Sequence, residues 1–88
     1  MITRTVTTAR GDVTLSDVFV IKHIRLARDK ETTARKLSTA IGVSPVICRE
    51  FLDYLTSAGI LTRSKPAQVY IYEIADRITA PIGEPAEA

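Results

Sequence analysis

Hydrophobic residues recur at helical spacing in two neighbouring segments between positions 33 and 61. The first segment places Leu37 and Ile41 on one side, and the second places Leu52 and Leu55 on one side. Spacings of three and four residues are typical of helices that bury one face. The pattern therefore predicts two short amphipathic helices in succession.

Residues that end and start helices lie between these two segments. Thr33 and Ser44 are suited to cap the two helices, because their hydroxyls can accept hydrogen bonds from the free N–H groups of a first turn. Gly42 is suited to end the first helix, since glycine enters the left-handed conformation without steric cost. Pro45 fits the first position of the second helix. One helix thus stops and the next starts within four residues, which predicts a helix-turn-helix.

The flanking segments alternate or show further helical spacing. Residues 2–8 alternate as in an edge strand, with a disordered arm as the alternative, and Gly11 marks a turn. Ser16 is suited to cap another helix. The other predicted elements are a helix over 17–29, a strand over 60–63, a turn over 64–67 and a strand over 68–74.

The helix over 17–29 has a broad apolar arc and two apolar residues outside it. Val18 and Ile21 interrupt the polar side, so they pack either under the N-terminal segment or against a second subunit. His23 falls within the arc, where a hydrogen-bonded core histidine is favoured over a metal ligand or pH switch. The arc is made of Phe19, Val20, His23, Ile24, Leu26 and Ala27.

Composition narrows the functional classes. The chain has 88 residues with 45% hydrophobic and 25% charged residues, which is ordinary for one small globular domain. Its single cysteine, Cys48, lies on a buried arc and is interpreted as a core residue rather than a redox sensor. We expect no enzyme, no cofactor and no metal site, because no catalytic grouping or ligand set is present. No apolar run reaches membrane-spanning length, so we expect a cytoplasmic protein without membrane contact.

Positive charge is unevenly distributed. The net charge is only +2, but six cations fall between Lys22 and Lys36 with two acids among them. Such a local excess is the electrostatic footprint of a nucleic-acid surface, and a solvated helix face is the alternative.

Three short motifs resemble the winged helix-turn-helix family of small regulators, such as the MarR-type and ArsR-type repressors. They are Ala34-Arg35-Lys36-Leu37, Gly42-Val43-Ser44-Pro45 and Ala58-Gly59-Ile60-Leu61. The resemblance implies an α+β fold: a three-helix winged helix-turn-helix with a C-terminal two-stranded β-hairpin wing, preceded by an extra strand if residues 2–8 are one. The expected division is an N-terminal arm or edge strand over 1–15, the winged helix-turn-helix domain over 16–80 and a disordered tail over 81–88.

The resemblance also implies a function. It suggests a DNA-binding transcriptional regulator, a homodimer on double-stranded DNA, with a recognition helix over about 44–58 in the major groove and a wing over 62–68 on the backbone. Arg49 is the candidate for reading guanine, and Arg63 and Lys65 are candidates for phosphate. The full set of expected DNA-binding residues is Thr33, Arg35, Lys36, Ser44, Val46, Arg49, Arg63 and Lys65.

Two acids on the second helix keep other functions open. Glu50 and Asp53 would repel phosphate, and Asp53 is spaced to pair with Arg49 along the helix. One alternative is therefore a winged-helix module that binds another protein, which the surplus apolar residues Val69 and Ile71 also favour. A second alternative is an RNA-bound component of the ribosomal type.

Overall fold

The computed structural model describes residues 2–65 and 67–75 and has an α+β architecture with three helices and two sheets. The expected tail over 81–88 and the residues before it from 76 lie outside the described part, as does Pro66 in the predicted turn. The elements in chain order are β1 (Thr3–Thr8), β2 (Gly11–Ser16), α1 (Asp17–Leu26), β3 (Glu31–Thr32), α2 (Ala34–Ile41), α3 (Pro45–Ser57), β4 (Leu61–Ser64) and β5 (Ile71–Ile74).

The N-terminal segment forms an antiparallel hairpin of β1 and β2, which confirms the strand interpretation of residues 2–8. Thr8 pairs with Gly11 across a two-residue turn, and Val6 pairs with Val13. Val6 and Leu15 from the two strands are buried and belong to the core. The second strand was not predicted, because only two apolar residues alternate there and Gly11 and Asp12 are unfavourable in strands.

Helix α1 begins where predicted and ends early. The Ser16 hydroxyl accepts a hydrogen bond from the Phe19 N–H at 3.1 Å, as expected for a cap. The predicted end at residue 29 is wrong, because Ala27 is already extended and Lys30 has a φ of 58°. Extended backbone at Ala27 ends the helix, and left-handed backbone at Lys30 follows just before β3.

The apolar arc predicted for this helix is only partly buried. Val20 and Ile24 are in the core, but Phe19 is 39% exposed and Leu26 is 77% exposed. Ile21, which was placed outside the arc, is buried in the same core cluster as Val6 and Leu15, whereas Val18 stays exposed. The N-terminal hairpin adds a second apolar surface, so a helix wheel calculated for one buried face misplaced these side chains.

Helices α2 and α3 follow the predicted stop and restart. Thr33 Oγ1 accepts from the Lys36 N–H at 3.1 Å, and Ser44 Oγ accepts from the Ile47 N–H at 3.4 Å. Gly42 ends α2 with a φ of 76°, in the left-handed region where glycine is favoured. Pro45 is the first residue of α3. These short-range signals therefore fix both helix boundaries.

The second sheet has the order β3-β5-β4, so the last strand of the described residues is the central one. Glu31 of β3 pairs with Glu73 of β5, and Arg63 of β4 pairs with Tyr72 of β5. Tyr72 is fully buried. The strands predicted over 60–63 and 68–74 form a hairpin, but β4 lies one residue later and β5 begins only at Ile71, because residues 67–69 bend away before the pairing starts.

Candidate functional site

A shallow groove of about 250 Å³ lies between the first turns of α2 and α3 and the segment that leads into β5. It brings together three parts of the chain that are remote in sequence, which is why no single stretch predicts it. Both helix starts are held there by their caps, so the backbone that borders the groove is well defined. The lining residues are Thr33, Ala34, Arg35, Pro45, Arg49, Gln68, Val69, Tyr70 and Tyr72.

Three cations surround the ring of Tyr70 at this groove. The guanidinium of Arg63 lies 4.4 Å from the ring centroid, the guanidinium of Arg49 lies 5.0 Å from it and the ammonium of Lys65 lies 5.0 Å from it. Cations are attracted to an aromatic face within about 6 Å of its centroid. Tyr70 therefore gathers one cation from α3 and two from the β4–β5 hairpin into one positive cluster. We call Arg49, Arg63, Lys65 and Tyr70 the Tyr70 cluster.

Asp53 on α3 connects the helix to the hairpin beneath this cluster. Its Oδ1 accepts hydrogen bonds from the Tyr72 hydroxyl at 2.6 Å and from Arg63 Nη1 at 2.9 Å. Its Oδ2 lies 3.7 Å from Arg49 Nε, the pair that its sequence spacing predicted. Burial of Tyr72, with the hydrogen bond to the Asp53 carboxylate, raises the pKa of Tyr72 to about 12. The hydrogen bond that Arg63 donates to the Asp53 carboxylate raises the pKa of Arg63. Oδ1 of Asp53 thus has a cation and a hydroxyl as partners, and Oδ2 has a cation beside it.

The other acid on α3 is also paired within the chain. Arg4 Nη1 on β1 lies 3.0 Å from Glu50 Oε1, and both side chains are about half exposed. This pair joins residues that are 46 positions apart. The two carboxylates that argued against a nucleic-acid partner therefore face cations of the protein itself.

The remaining predicted site residues have different surroundings. Arg35 and Lys36 are exposed on the first turn of α2, and Val46 is 67% exposed on the first turn of α3. The hydroxyls of Thr33 and Ser44 are engaged as helix caps. These two residues therefore offer a ligand mainly the N–H groups of their helix starts.

Of the eight predicted residues, three line the groove and two more stand beside it. The groove contains Thr33, Arg35 and Arg49, and the Tyr70 cluster adds Arg63 and Lys65. Tyr70 was not predicted as a site residue. The sequence around Tyr70 carries no signal for this role, because the cations at its ring come from α3 and from the β4–β5 hairpin and meet only in the fold.

The lone histidine and the lone cysteine both have structural surroundings. His23 Nε2 and Thr32 Oγ1 share a hydrogen bond of 2.8 Å, and burial together with Lys36 lowers the pKa of His23. The Cys48 thiol is fully buried and donates to the Val43 carbonyl at 3.6 Å. Burial raises the pKa of Cys48, which disfavours the reactive thiolate. The core interpretation of Cys48 is confirmed, whereas His23 is hydrogen-bonded as expected but only partly buried and outside the core.

Within residues 2–65 and 67–75, no group of three or more histidine, cysteine, aspartate or glutamate side chains could hold a metal ion. In the same described ranges, no helix has both the length and the apolar character needed to cross a membrane. Comparison of the chain with protein-family models, with curated proteins and with solved structures found no match.

Proposed function

We propose that the chain binds double-stranded DNA as a winged helix-turn-helix transcriptional regulator. In this proposal α2, the turn over 42–44 and α3 form the helix-turn-helix, and the β4–β5 hairpin is the wing. The start of α3 enters the major groove, and the Tyr70 cluster faces the phosphates beside it. The proposal requires no cofactor.

The observation that carries the proposal is the charge around the groove. Arg35, Arg49, Arg63 and Lys65 stand within or beside it, against the single carboxylate of Asp53. Such a concentration of cations in a concave site favours a polyanion, because it raises the local concentration of negative charge. Phosphate contacts of this kind supply most of the sequence-independent affinity for DNA.

The ion pairs of α3 remove the main objection to DNA. Unpaired carboxylates on a recognition helix would repel phosphate, but Glu50 faces Arg4 and Asp53 faces Arg63. The pairs also restrict which cations are available. Arg63 already donates to Asp53, whereas Lys65 is exposed and, among residues 2–65 and 67–75, lies against the Tyr70 ring without an ion pair. Lys65 is accordingly the better candidate for a phosphate contact.

Arg49 is the candidate for reading bases. Its side chain is 56% exposed, and it is oriented by the Asp53 carboxylate on one side and by the Tyr70 ring on the other. A guanidinium can donate two hydrogen bonds to guanine O6 and N7 in the major groove. Val46, one turn earlier on the same exposed side, is placed to contact a thymine methyl group.

A second candidate function follows from the exposed residues of α1. Phe19 and Leu26 lie two helical turns apart on one side of this helix, and both remain accessible although they are large and apolar. Exposed apolar surface of this kind marks protein contacts. A winged-helix module that binds another protein through α1 is therefore the alternative to DNA.

Fluorescence anisotropy with a labelled duplex of mixed sequence tests the proposal. We expect affinity to fall steeply between about 50 and 200 mM salt, because each phosphate contact contributes about 0.9 to the slope of log affinity against log salt. Lys65→Ala should reduce the magnitude of that slope by about 0.9, the contribution of one phosphate contact. A labelled RNA duplex of the same sequence, titrated in parallel, separates DNA from RNA.

Arg10→Ala is the matched control. Arg10 is exposed in the turn of the N-terminal hairpin and does not line the groove. Its replacement by alanine removes one positive charge, as Lys65→Ala does. It should leave the salt slope nearly unchanged. The absence of DNA binding at about 50 mM salt refutes the proposal. Equal losses of DNA affinity in Lys65→Ala and Arg10→Ala would show that the groove is not the binding surface.

A further inference from the structure

The N-terminal hairpin has an outer edge along β1 that is well suited to strand pairing. β1 belongs to a two-stranded sheet and pairs only with β2 among the described residues. Its residues Thr3, Thr5 and Thr7 are exposed. A strand edge with free N–H and C=O groups is a template for another strand.

The register of the hairpin shows which backbone groups are free. In an antiparallel pair, residues that exchange both hydrogen bonds alternate with residues that exchange none. Thr8 and Gly11 close the two-residue turn, and the Asp17 N–H donates to the Ile2 carbonyl at 3.0 Å. The even-numbered residues of β1 therefore bond to β2. The N–H and C=O groups of Thr3, Thr5 and Thr7 consequently point away from it.

We propose that the chain forms a two-fold symmetric dimer by antiparallel pairing of β1 with β1 of a second copy, with Thr5 opposite Thr5. This register sets Thr3 opposite Thr7 and gives six hydrogen bonds from the outward groups of the two strands. Residues directly opposite each other place their side chains on the same face of the sheet, so the odd-numbered residues of both strands share one face. The threonine faces then form one continuous surface, and the faces carrying Val6 both turn to the cores. The inference does not rest on the proposed function.

Charge favours a second copy as the occupant of this edge. The only charged residue of β1 is Arg4, and its guanidinium is paired with Glu50 of its own chain. In the proposed register Arg4 lies opposite Val6, whereas centring the pairing on Arg4 would set two like charges directly opposite each other.

The sequence of β1 also lacks the devices that protect sheet edges. It contains neither proline nor lysine nor an acidic residue, and four of its six residues are threonine. The outer edge of β2 differs, because its first two residues are Gly11 and Asp12, which are unfavourable in strands. Of the two edges of the hairpin, β1 is thus the better pairing surface.

The test measures the oligomeric state of the full chain without DNA, by sedimentation velocity over a wide concentration range. We expect a monomer–dimer equilibrium. Thr5→Pro removes an outward N–H from each strand and no hydrogen bond to β2, so the dissociation constant should rise roughly thirtyfold, equivalent to about 2 kcal/mol. Thr14→Pro is the matched control, because Thr14 lies directly opposite Thr5 and its N–H points to the other edge.

A charge pair tests the register even if the proline variants fail to fold. Thr5→Lys and Thr5→Glu should each weaken the dimer, since like charges then meet at the two-fold axis, and a mixture of the two variants should restore it. The same exchange at Thr14 should have little effect.

Three results overturn the proposal. The first is a monomer at all concentrations, which leaves the edge for a strand of another protein. The second is a dimer that Thr14→Pro disrupts and Thr5→Pro does not, which places the interface on β2. The third is a dimer that none of these variants affects, which places it on another face such as α1. Because no DNA is present, none of these results bears on the proposed function.

Discussion

Replacement of Tyr72 by phenylalanine isolates the hydrogen bond that joins the β4–β5 hairpin to α3. The ring is fully buried and would keep its packing, so the change removes only the hydroxyl that donates to Asp53 at 2.6 Å. A hydrogen bond to a charged group contributes about 1.5–3 kcal/mol. Asp53 is one-third exposed and keeps Arg63 as a partner. We therefore expect the lower part of that range, a loss of about 1.5–2 kcal/mol in the free energy of unfolding at pH 8.

The raised pKa of Tyr72 makes this loss depend on pH. The hydroxyl titrates at about 12 in the folded chain, against an ordinary value of 10.0. As the pH rises through 10, the unfolded chain releases this proton first, so the stabilisation by the hydroxyl decreases. The difference between the wild type and Tyr72→Phe should shrink by about 0.8 kcal/mol between pH 8 and pH 10.5.

Urea denaturation followed by circular dichroism at the two pH values measures both effects. Tyr54→Phe is the control, because the Tyr54 side chain is exposed, and its removal should change the free energy of unfolding by less than about 0.5 kcal/mol. If Tyr72→Phe costs no more than the control at pH 8, the bond to Asp53 contributes nothing. A difference that does not narrow at pH 10.5 would refute the raised pKa.

Two further predictions concern the helix–sheet junction and the second sheet. The pKa of His23 is lowered by burial and by Lys36, so the unfolded chain takes up the proton more readily. The free energy of unfolding should therefore decrease as the pH falls below about 6.5, and this decrease should be smaller in His23→Gln. An NMR titration midpoint of His23 above 6.5 would contradict the lowered pKa. Glu31 and Glu73 lie directly opposite each other on β3 and β5, so Glu73→Lys should stabilise the fold by about 0.2–1 kcal/mol, and Glu73→Gln by less. A loss of stability in thermal denaturation of Glu73→Lys would count against repulsion between these residues.

Short-range signals predicted the helices that carry the candidate site. Thr33, Gly42, Ser44 and Pro45 each act within one turn of their own position, so the boundary between α2 and α3 could be located from the sequence. The end of α1 could not, because residues 27–29 suit a helix and neither glycine nor proline marks Ala27, where the backbone becomes extended.

The charge pattern of the site depends on contacts between distant residues. Glu50 was predicted as a repulsive charge, but its partner Arg4 lies on a strand 46 residues earlier. Asp53 was paired correctly with Arg49 by its helical spacing, whereas its shorter contacts to Arg63 and Tyr72 cross between two elements. Spacing along one helix predicts the first kind of contact and carries no information on the second.

The position of β5 at the centre of its sheet has a consequence for how the chain acquires its fold. The pairing of Glu31 with Glu73 closes a loop that contains α2, α3 and β4, while the N-terminal hairpin and the α2–α3 pair are local. Local contacts form before contacts that require a long loop to close. During synthesis, β3 and β4 are made before β5, the strand that lies between them in the sheet. The three-stranded sheet, and with it the Asp53–Tyr72 bond, can therefore form only after the residues of β5 have been made.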